Sequence, residues 1–172
     1  MHRIRLIRQA NERLAVQDFD FETSLGYWLT VSTQEIHRAL NVELAPTGIT
    51  YRQSQVIGWL KLEGKLTVGE LAGRMTIEPP TLVGILDRME RMGWIVRDEC
   101  ADDRRRKRIR LTAAADPVWE QIIECCLKVR RNATAGLSPE QCEQLLALLR
   151  QVHRNLLASE AVSTPAPKLA EV

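Results

Sequence analysis

The sequence predicts a mainly α-helical chain with one small β-hairpin, and two patterns support this fold class. Apolar residues recur at helical intervals over most of the 172 residues, as expected for amphipathic helices that share a core. The exceptions are WIVRDE at 94–99 and KRIRL at 107–111, with polar residues between them. Two such short segments around a polar connection are typical of a hairpin. The length is sufficient for one domain with a buried core.

The first long helix is predicted over roughly 22–44, where the pattern stops at Pro46 and Gly48. Residues 1–21 precede it as an N-terminal extension with room for a short extra helix. Thr50 begins a second helix. A third helix is predicted in TVGELAGRM at 67–75, where Thr67 and Glu70 have the spacing of a capping box.

A fourth helix is predicted in PPTLVGILDRMERMG, which three residues separate from the third. Its apolar residues fall on one side, and Pro80, Thr81, Gly84 and Arg88 fall on another. Two short helices joined by a tight turn, with a polar side on the second, indicate a helix-turn-helix. The hairpin follows directly, which makes the arrangement a winged helix-turn-helix over about 50–112.

Basic residues are concentrated at this hairpin, since six of the seven residues 104–110 are Arg or Lys. A hairpin tip can reach a DNA backbone or minor groove while its base stays anchored to the core. The alternative is a solvated charged loop with no partner. The preceding helix-turn-helix favours the DNA-binding interpretation.

Two helices are predicted after the hairpin, over 113–134 and from a start at Ser138 and Pro139 onward. The last one is apolar over a broad arc, which is typical of packing against a second subunit. We therefore expect N- and C-terminal dimerisation helices around the DNA-binding lobe. Residues 159–172 have no periodicity and are expected to form a disordered tail.

Composition limits the classes of function. The formal net charge is only +2, so any nucleic-acid surface must arise from local clustering. Charged residues interrupt every candidate membrane span, and the start of the chain lacks the features of a secretory signal. The four cysteines show no zinc or disulfide spacing. We expect a cytoplasmic protein with no metal and no cofactor, and we find no motif that calls for an enzyme.

The chain resembles the MarR family of bacterial transcription regulators, and within it the SlyA-like group. The resemblance rests on IEPPTLVGILDRMERMGWI at 77–95, on DRRRKRIRLT at 103–112, and on Thr50 and Gln53 in the second helix. It covers residues 22–158 in element order. The segment 103–112 matches the wing motif of the family, in which an Asp, an Arg and a final Leu-Thr have fixed offsets.

The resemblance implies a homodimer that binds an inverted-repeat operator in double-stranded DNA, most often as a repressor. Arg105 would enter the minor groove with Asp103 orienting it, while Arg104, Arg106 and Lys107 would contact phosphates. Residues of the fourth helix would meet bases or backbone in the major groove. These are Pro80, Thr81 and Arg88. Gly84 departs from the SlyA-like pattern, which usually has an arginine there, so a different site preference is expected.

The resemblance also implies that a small aromatic or phenolic ligand releases the DNA. His37, Ser54 and Gly58 are the candidate pocket residues, although close helix packing is the favoured explanation of Ser54 and Gly58, and a lone helical histidine is more often structural. Two further functions stay open. One is a winged-helix module for protein interaction, and the other is an oxidant-responsive regulator that uses Cys100.

Overall fold

The computed structural model describes the backbone of residues 20–99 and 107–163, and the side chains of 20–98 and 107–158. The chain divides into two compact units, Met1–Val129 and Arg130–Val172. The expectations for residues 1–19, 100–106 and 164–172 therefore lie outside the described residues. None of the described helices has the length and apolar character needed to cross a bilayer.

Helix α1 spans Leu25–Leu44 and α2 spans Tyr51–Glu63. The first helix starts slightly later than predicted because a 3₁₀ turn, Phe21–Thr23, precedes it and Ser24 caps it through a hydrogen bond from the Tyr27 amide. A second 3₁₀ turn, Ala45–Thr47, leads to Gly48, whose φ of 72° reverses the chain. Thr50, the predicted start of α2, then forms a capping box with Gln53.

Helices α3, Val68–Met75, and α4, Pro79–Arg91, form the helix-turn-helix. The predicted capping box is present at α3, where the Thr67 hydroxyl accepts from the Glu70 amide and the Glu70 carboxylate accepts from the Thr67 amide. These hydrogen bonds from Thr67 hold the pKa of the Glu70 carboxyl below its usual value. Both helices therefore begin where the sequence predicted.

The sheet has three antiparallel strands in the order β1-β3-β2. Strands β2, Ile95–Glu99, and β3, Lys107–Leu111, form the predicted hairpin, with Ile95 opposite Leu111 and Glu99 opposite Lys107. The two-residue strand β1, Leu66–Thr67, pairs with β3 and was not predicted. It connects the beginning of the helix-turn-helix to the hairpin.

The core of the first unit joins α2, α3 and α4 with the sheet and the start of α5, which spans Asp116–Ala133. Helices α2, α3 and α4 and the sheet each contribute fully buried side chains. Helix α5 contributes Ile122 and Cys125, which are 3% and 6% exposed. A 3₁₀ turn, Ala113–Ala115, connects the hairpin to α5. Of the adjacent cysteines, Cys125 is the buried one, and its thiol donates to the Glu43 carbonyl at 3.4 Å.

Helix α6 spans Pro139–Ser163 in the second unit and starts as predicted, with the Ser138 hydroxyl accepting from the Gln141 amide. The prediction that disorder begins at residue 159 was wrong for residues 159–163, which continue this helix. The segment SEAVS contains no Gly or Pro, so nothing in it interrupts the helical hydrogen bonds. Pro165 is the first residue that disfavours helical backbone before it.

Candidate nucleic-acid interface

Helix α4 exposes a polar side because its apolar side is taken up by the core. Leu82, Leu86 and Met89 are fully buried, and Ile85 is 6% exposed. The helix begins at Pro79, a residue that suits the first turn because it needs no amide partner there. The residues opposite the core are thereby left available to a partner.

The turn between α3 and α4 is held in a strained backbone conformation at Thr76. Its φ of 51° and ψ of 49° lie in the left-handed region, which a β-branched residue rarely adopts. The Thr76 amide donates to the Gly73 carbonyl at 3.3 Å, and the Ile77 amide donates to the Ala72 carbonyl at 3.1 Å. These bonds end α3 and set the direction in which α4 leaves.

The exposed side of α4 contains the three residues predicted from the sequence, Pro80, Thr81 and Arg88. Gly84 is exposed too, and a Cβ placed there would have no atom within 4 Å. A longer side chain would therefore fit at Gly84 without moving its neighbours. Sequence reasoning missed Val83, which is 41% exposed on this helix although it is apolar.

Strand β3 combines a buried anchor with exposed cations. Ile109 is fully buried, while Lys107, Arg108 and Arg110 are exposed. Thr112 closes the base of the hairpin, because its amide donates to the Trp94 carbonyl at 3.0 Å and its hydroxyl donates to the Gly93 carbonyl. The hairpin is thus fixed at its base, with its cations directed away from the core.

Arg97 links the hairpin to α4 and was not singled out from the sequence. Its guanidinium donates to the Asp87 carboxylate at 2.6 Å and forms an ion pair with Glu90 at 3.0 Å. The Arg97 side chain is only 22% exposed, whereas Asp87 and Glu90 are 50% and 39% exposed. One cation on β2 therefore holds two carboxylates of α4.

Asp98 joins three parts of the sheet on the other side of β2. Its carboxylate accepts from Lys65 at 3.0 Å, just before β1, and from Arg110 on β3 at 2.8 Å. These hydrogen bonds, that from Lys65 first, hold the pKa of the Asp98 carboxyl below its usual value. The outer side of the sheet therefore has a mixed charge rather than a purely basic one.

Comparison with known proteins identifies this arrangement. A family model described as MarR family matches residues 47–106, which include the helix-turn-helix and the hairpin. A MarR family protein from Bacillus stearothermophilus is 28% identical with a TM-score of 0.67, over 77% of this chain and 93% of that one. A cysteine-to-serine variant of MarR from E. coli, complexed with operator DNA, is 26% identical with a TM-score of 0.64, over 74% and 92%. Residues 47–106 therefore match the MarR family, and the fold of the chain is the one that these MarR structures share.

The family match and the neighbour complexed with operator DNA support a role in DNA-binding transcription regulation. A third structure shares the fold at 19% identity and a TM-score of 0.65, over 75% of this chain and 98% of that one. It is BpsR from Bordetella bronchiseptica, and it was determined to explain how 6-hydroxynicotinic acid regulates the DNA binding of that protein. The narrower assignment of this chain to the SlyA-like group stays a prediction.

Four of the residues expected in the MarR wing lie outside the described residues. They are Asp103, Arg104, Arg105 and Arg106. Of the predicted wing contacts the structure places Lys107, which is exposed at the start of β3. The minor-groove role of Arg105 and the orienting role of Asp103 stay predictions.

The three residues expected at a MarR ligand pocket lie on α1 and α2. The rings of His37 and Tyr51 are 4.6 Å apart, and the Ser54 hydroxyl donates to the Tyr51 carbonyl at 2.8 Å. A Cβ at Gly58 would meet the ring of Trp119 at 4.0 Å. The Ser54 hydroxyl thus bonds within its own helix, and Gly58 lies beside the Trp119 ring. Both explanations of Ser54 and Gly58, ligand contact and helix packing, stay predictions.

The adjacent thiols of Cys125 and Cys126 are poor nucleophiles. Desolvation raises the pKa of both thiols, which disfavours the thiolate. Cys100, the residue of the oxidant-responsive alternative, lies outside the described residues. In the described part of the chain, no group of three or more His, Cys, Asp or Glu side chains is arranged for a metal ion.

Proposed function

We propose that this chain is a dimeric transcription regulator that binds an inverted-repeat operator through α4 and the hairpin. It would act as a repressor. The observation that carries the proposal is the joining of two DNA-facing elements by Arg97. Through it, α4 is joined to β2, which pairs with the strand that carries the exposed cations. A helix of this kind fits the major groove while a wing reaches the flanking minor groove.

The test is selection of bound fragments from the host genome, followed by salt titrations on the selected duplex. We expect an inverted repeat with half-sites about one helical turn apart. Each neutralised phosphate should contribute about −0.9 to the slope of log affinity against log salt concentration. Arg105→Ala should weaken binding, whereas Arg38→Ala, which removes an equal charge from α1, should not. Binding indifferent to salt and to Arg105 would favour the protein-interaction alternative.

Dimerisation is proposed from apolar side chains exposed on the terminal helices. On α1, Leu25 and Trp28 are 56% and 54% exposed, and on α6, Leu145 and Leu148 are 45% and 58% exposed. Exposed apolar side chains, taken on each helix separately, are typical of contact regions. Sedimentation should give a dimer that Leu148→Glu dissociates. Leu62→Glu, at a 74% exposed leucine of α2, is the matched control and should leave the dimer intact.

Ligand response is proposed at the junction of α1 and α2, where His37 and Tyr51 are in ring contact. A histidine beside an aromatic ring offers a polar anchor and a stacking surface for an aromatic acid. The ligand-regulated DNA binding studied in BpsR, which shares the fold, supports the idea. Salicylate and 6-hydroxynicotinate should release the selected duplex from wild type and less effectively from His37→Ala. Equal release from both proteins would place the ligand elsewhere.

A further inference from the structure

The side of α4 that faces away from the core carries a short apolar strip formed by Pro80, Val83 and Gly84. These residues lie within one turn of each other, so they share a side of the helix. Val83 is 41% exposed, while the core-facing apolar residues of α4 are at most 6% exposed. Gly84 has open space beyond its Cα. The strip is therefore accessible to a partner that approaches α4.

This strip contains no side chain that can read base edges by hydrogen bonding. Pro80, Val83 and Gly84 have no side-chain donor or acceptor. Thr81, beside the strip, has an exposed hydroxyl, and on the following turn Arg97 engages the Asp87 carboxylate at 2.6 Å. A carboxylate held in this way is poorly placed to accept from a cytosine amino group. The strip itself can therefore bind a partner only through apolar contact.

Exposed cations on the same two elements indicate the kind of partner that the strip fits. Arg88 and Arg91 are exposed on the next turns of α4, and Lys107 and Arg108 are exposed on the hairpin. Together they suit a major groove, where phosphates border the bases. In that groove the C5-methyl group of thymine is the apolar feature of the base edges.

We propose that Val83, supported by Pro80, is a specificity-determining residue that contacts thymine C5-methyl groups in the operator. The inference rests on the proposed function, since it requires α4 to enter a major groove. It also explains how a recognition helix with glycine at position 84 discriminates between sites. Burial of the methyl group would select thymine, whereas an arginine at position 84 would select guanine through hydrogen bonds.

The experiment compares thymidine with deoxyuridine, which differs from it only by that methyl group. Each thymidine of the selected duplex is replaced in turn, and binding is measured for wild type, Val83→Ala and Leu62→Ala. Burial of one methyl group raises affinity about fourfold. We expect one or more replacements per half-site to weaken binding by wild type about fourfold, and binding by Val83→Ala to be insensitive to the same replacements. Leu62→Ala, at a 74% exposed leucine of α2, should behave as wild type.

The outcomes separate this inference from the proposed function. If wild type selects no duplex, the proposed function fails and the inference fails with it. If wild type selects a duplex but no deoxyuridine replacement weakens binding, only the inference is overturned. Sensitivity that persists in Val83→Ala also overturns it, because another residue would then contact the methyl groups. Alanine favours the helix more than valine does, so thermal unfolding should show that Val83→Ala remains folded.

Discussion

Replacing Arg97 by methionine tests whether the hairpin and α4 are held together by charge. Methionine keeps most of the aliphatic stem and removes the guanidinium that contacts Asp87 at 2.6 Å and Glu90 at 3.0 Å. The two carboxylates, three residues apart on α4, would then lose their shared cation. We expect a less stable protein and a more negative DNA-binding surface.

The magnitude follows from the exposure of the three side chains. Exposed ion pairs contribute about 0.2–1 kcal/mol each, and Arg97 at 22% exposure places both pairs near the middle of that range. The released repulsion between Asp87 and Glu90 adds about 0.3 kcal/mol. The free energy of unfolding should fall by about 1–1.5 kcal/mol, which lowers Tm by about 3–5 °C for a chain of this size.

The assay is urea denaturation at one fixed protein concentration, because dimerisation makes stability depend on concentration. Arg97→Met is compared in wild type and in the background Asp87→Asn/Glu90→Gln, where the carboxylates are absent. In that background the substitution should cost less than about 0.5 kcal/mol. An equal loss in both backgrounds would refute the reasoning, because Arg97 would then act through packing of its stem. In wild type, Arg97→Met should also weaken operator binding.

Three further perturbations have outcomes set by the geometry described above. Thr76→Gly should raise the free energy of unfolding by about 1 kcal/mol in urea denaturation, because glycine adopts the left-handed backbone without strain; a less stable variant would contradict this. Gly84→Ala should raise it by up to about 1 kcal/mol in the same assay, since the added methyl group meets no neighbour. The lowered pKa of Asp98 means that its pairing stabilises the fold above its ordinary value of 3.8 and that this contribution is lost as pH falls through the lower, folded-state pKa. Asp98→Asn should therefore reduce the loss of stability measured below about pH 4, and an unchanged acid dependence would argue against the role of Lys65 and Arg110.

The elements that sequence reasoning located best are those defined by local interactions. The capping residues Thr50 and Thr67 and the apolar spacing of α4 all act within one or two helical turns, so the chain itself carries their signal. Strand β1 has only two residues and exists because Leu66 pairs with Ile109. No local sequence pattern indicates that pairing. The sequence around Thr67 predicts its role as a helix cap but not its place in a strand.

The sequence predicted which residues of α4 are exposed at the candidate site, but it did not predict the ion pairs between α4 and the hairpin. The exposure of Pro80, Thr81 and Arg88 followed from helical periodicity. Arg97 was missed because its partners lie across an interface between a strand and a helix, at spacings that no single element defines. The exposure of Val83 was also missed, since an apolar residue in an amphipathic helix is assigned to the core unless its side of the helix is examined.

The closure of the hairpin by Thr112 has a consequence for how related regulators diversify. Both hydrogen-bonding groups of Thr112 engage carbonyls at Gly93 and Trp94, so the register at the base of the hairpin does not depend on the segment that connects β2 and β3. We expect insertions, deletions or exchanges in that segment to leave the strands aligned. Sequence could then vary there while the sheet beneath it stays the same.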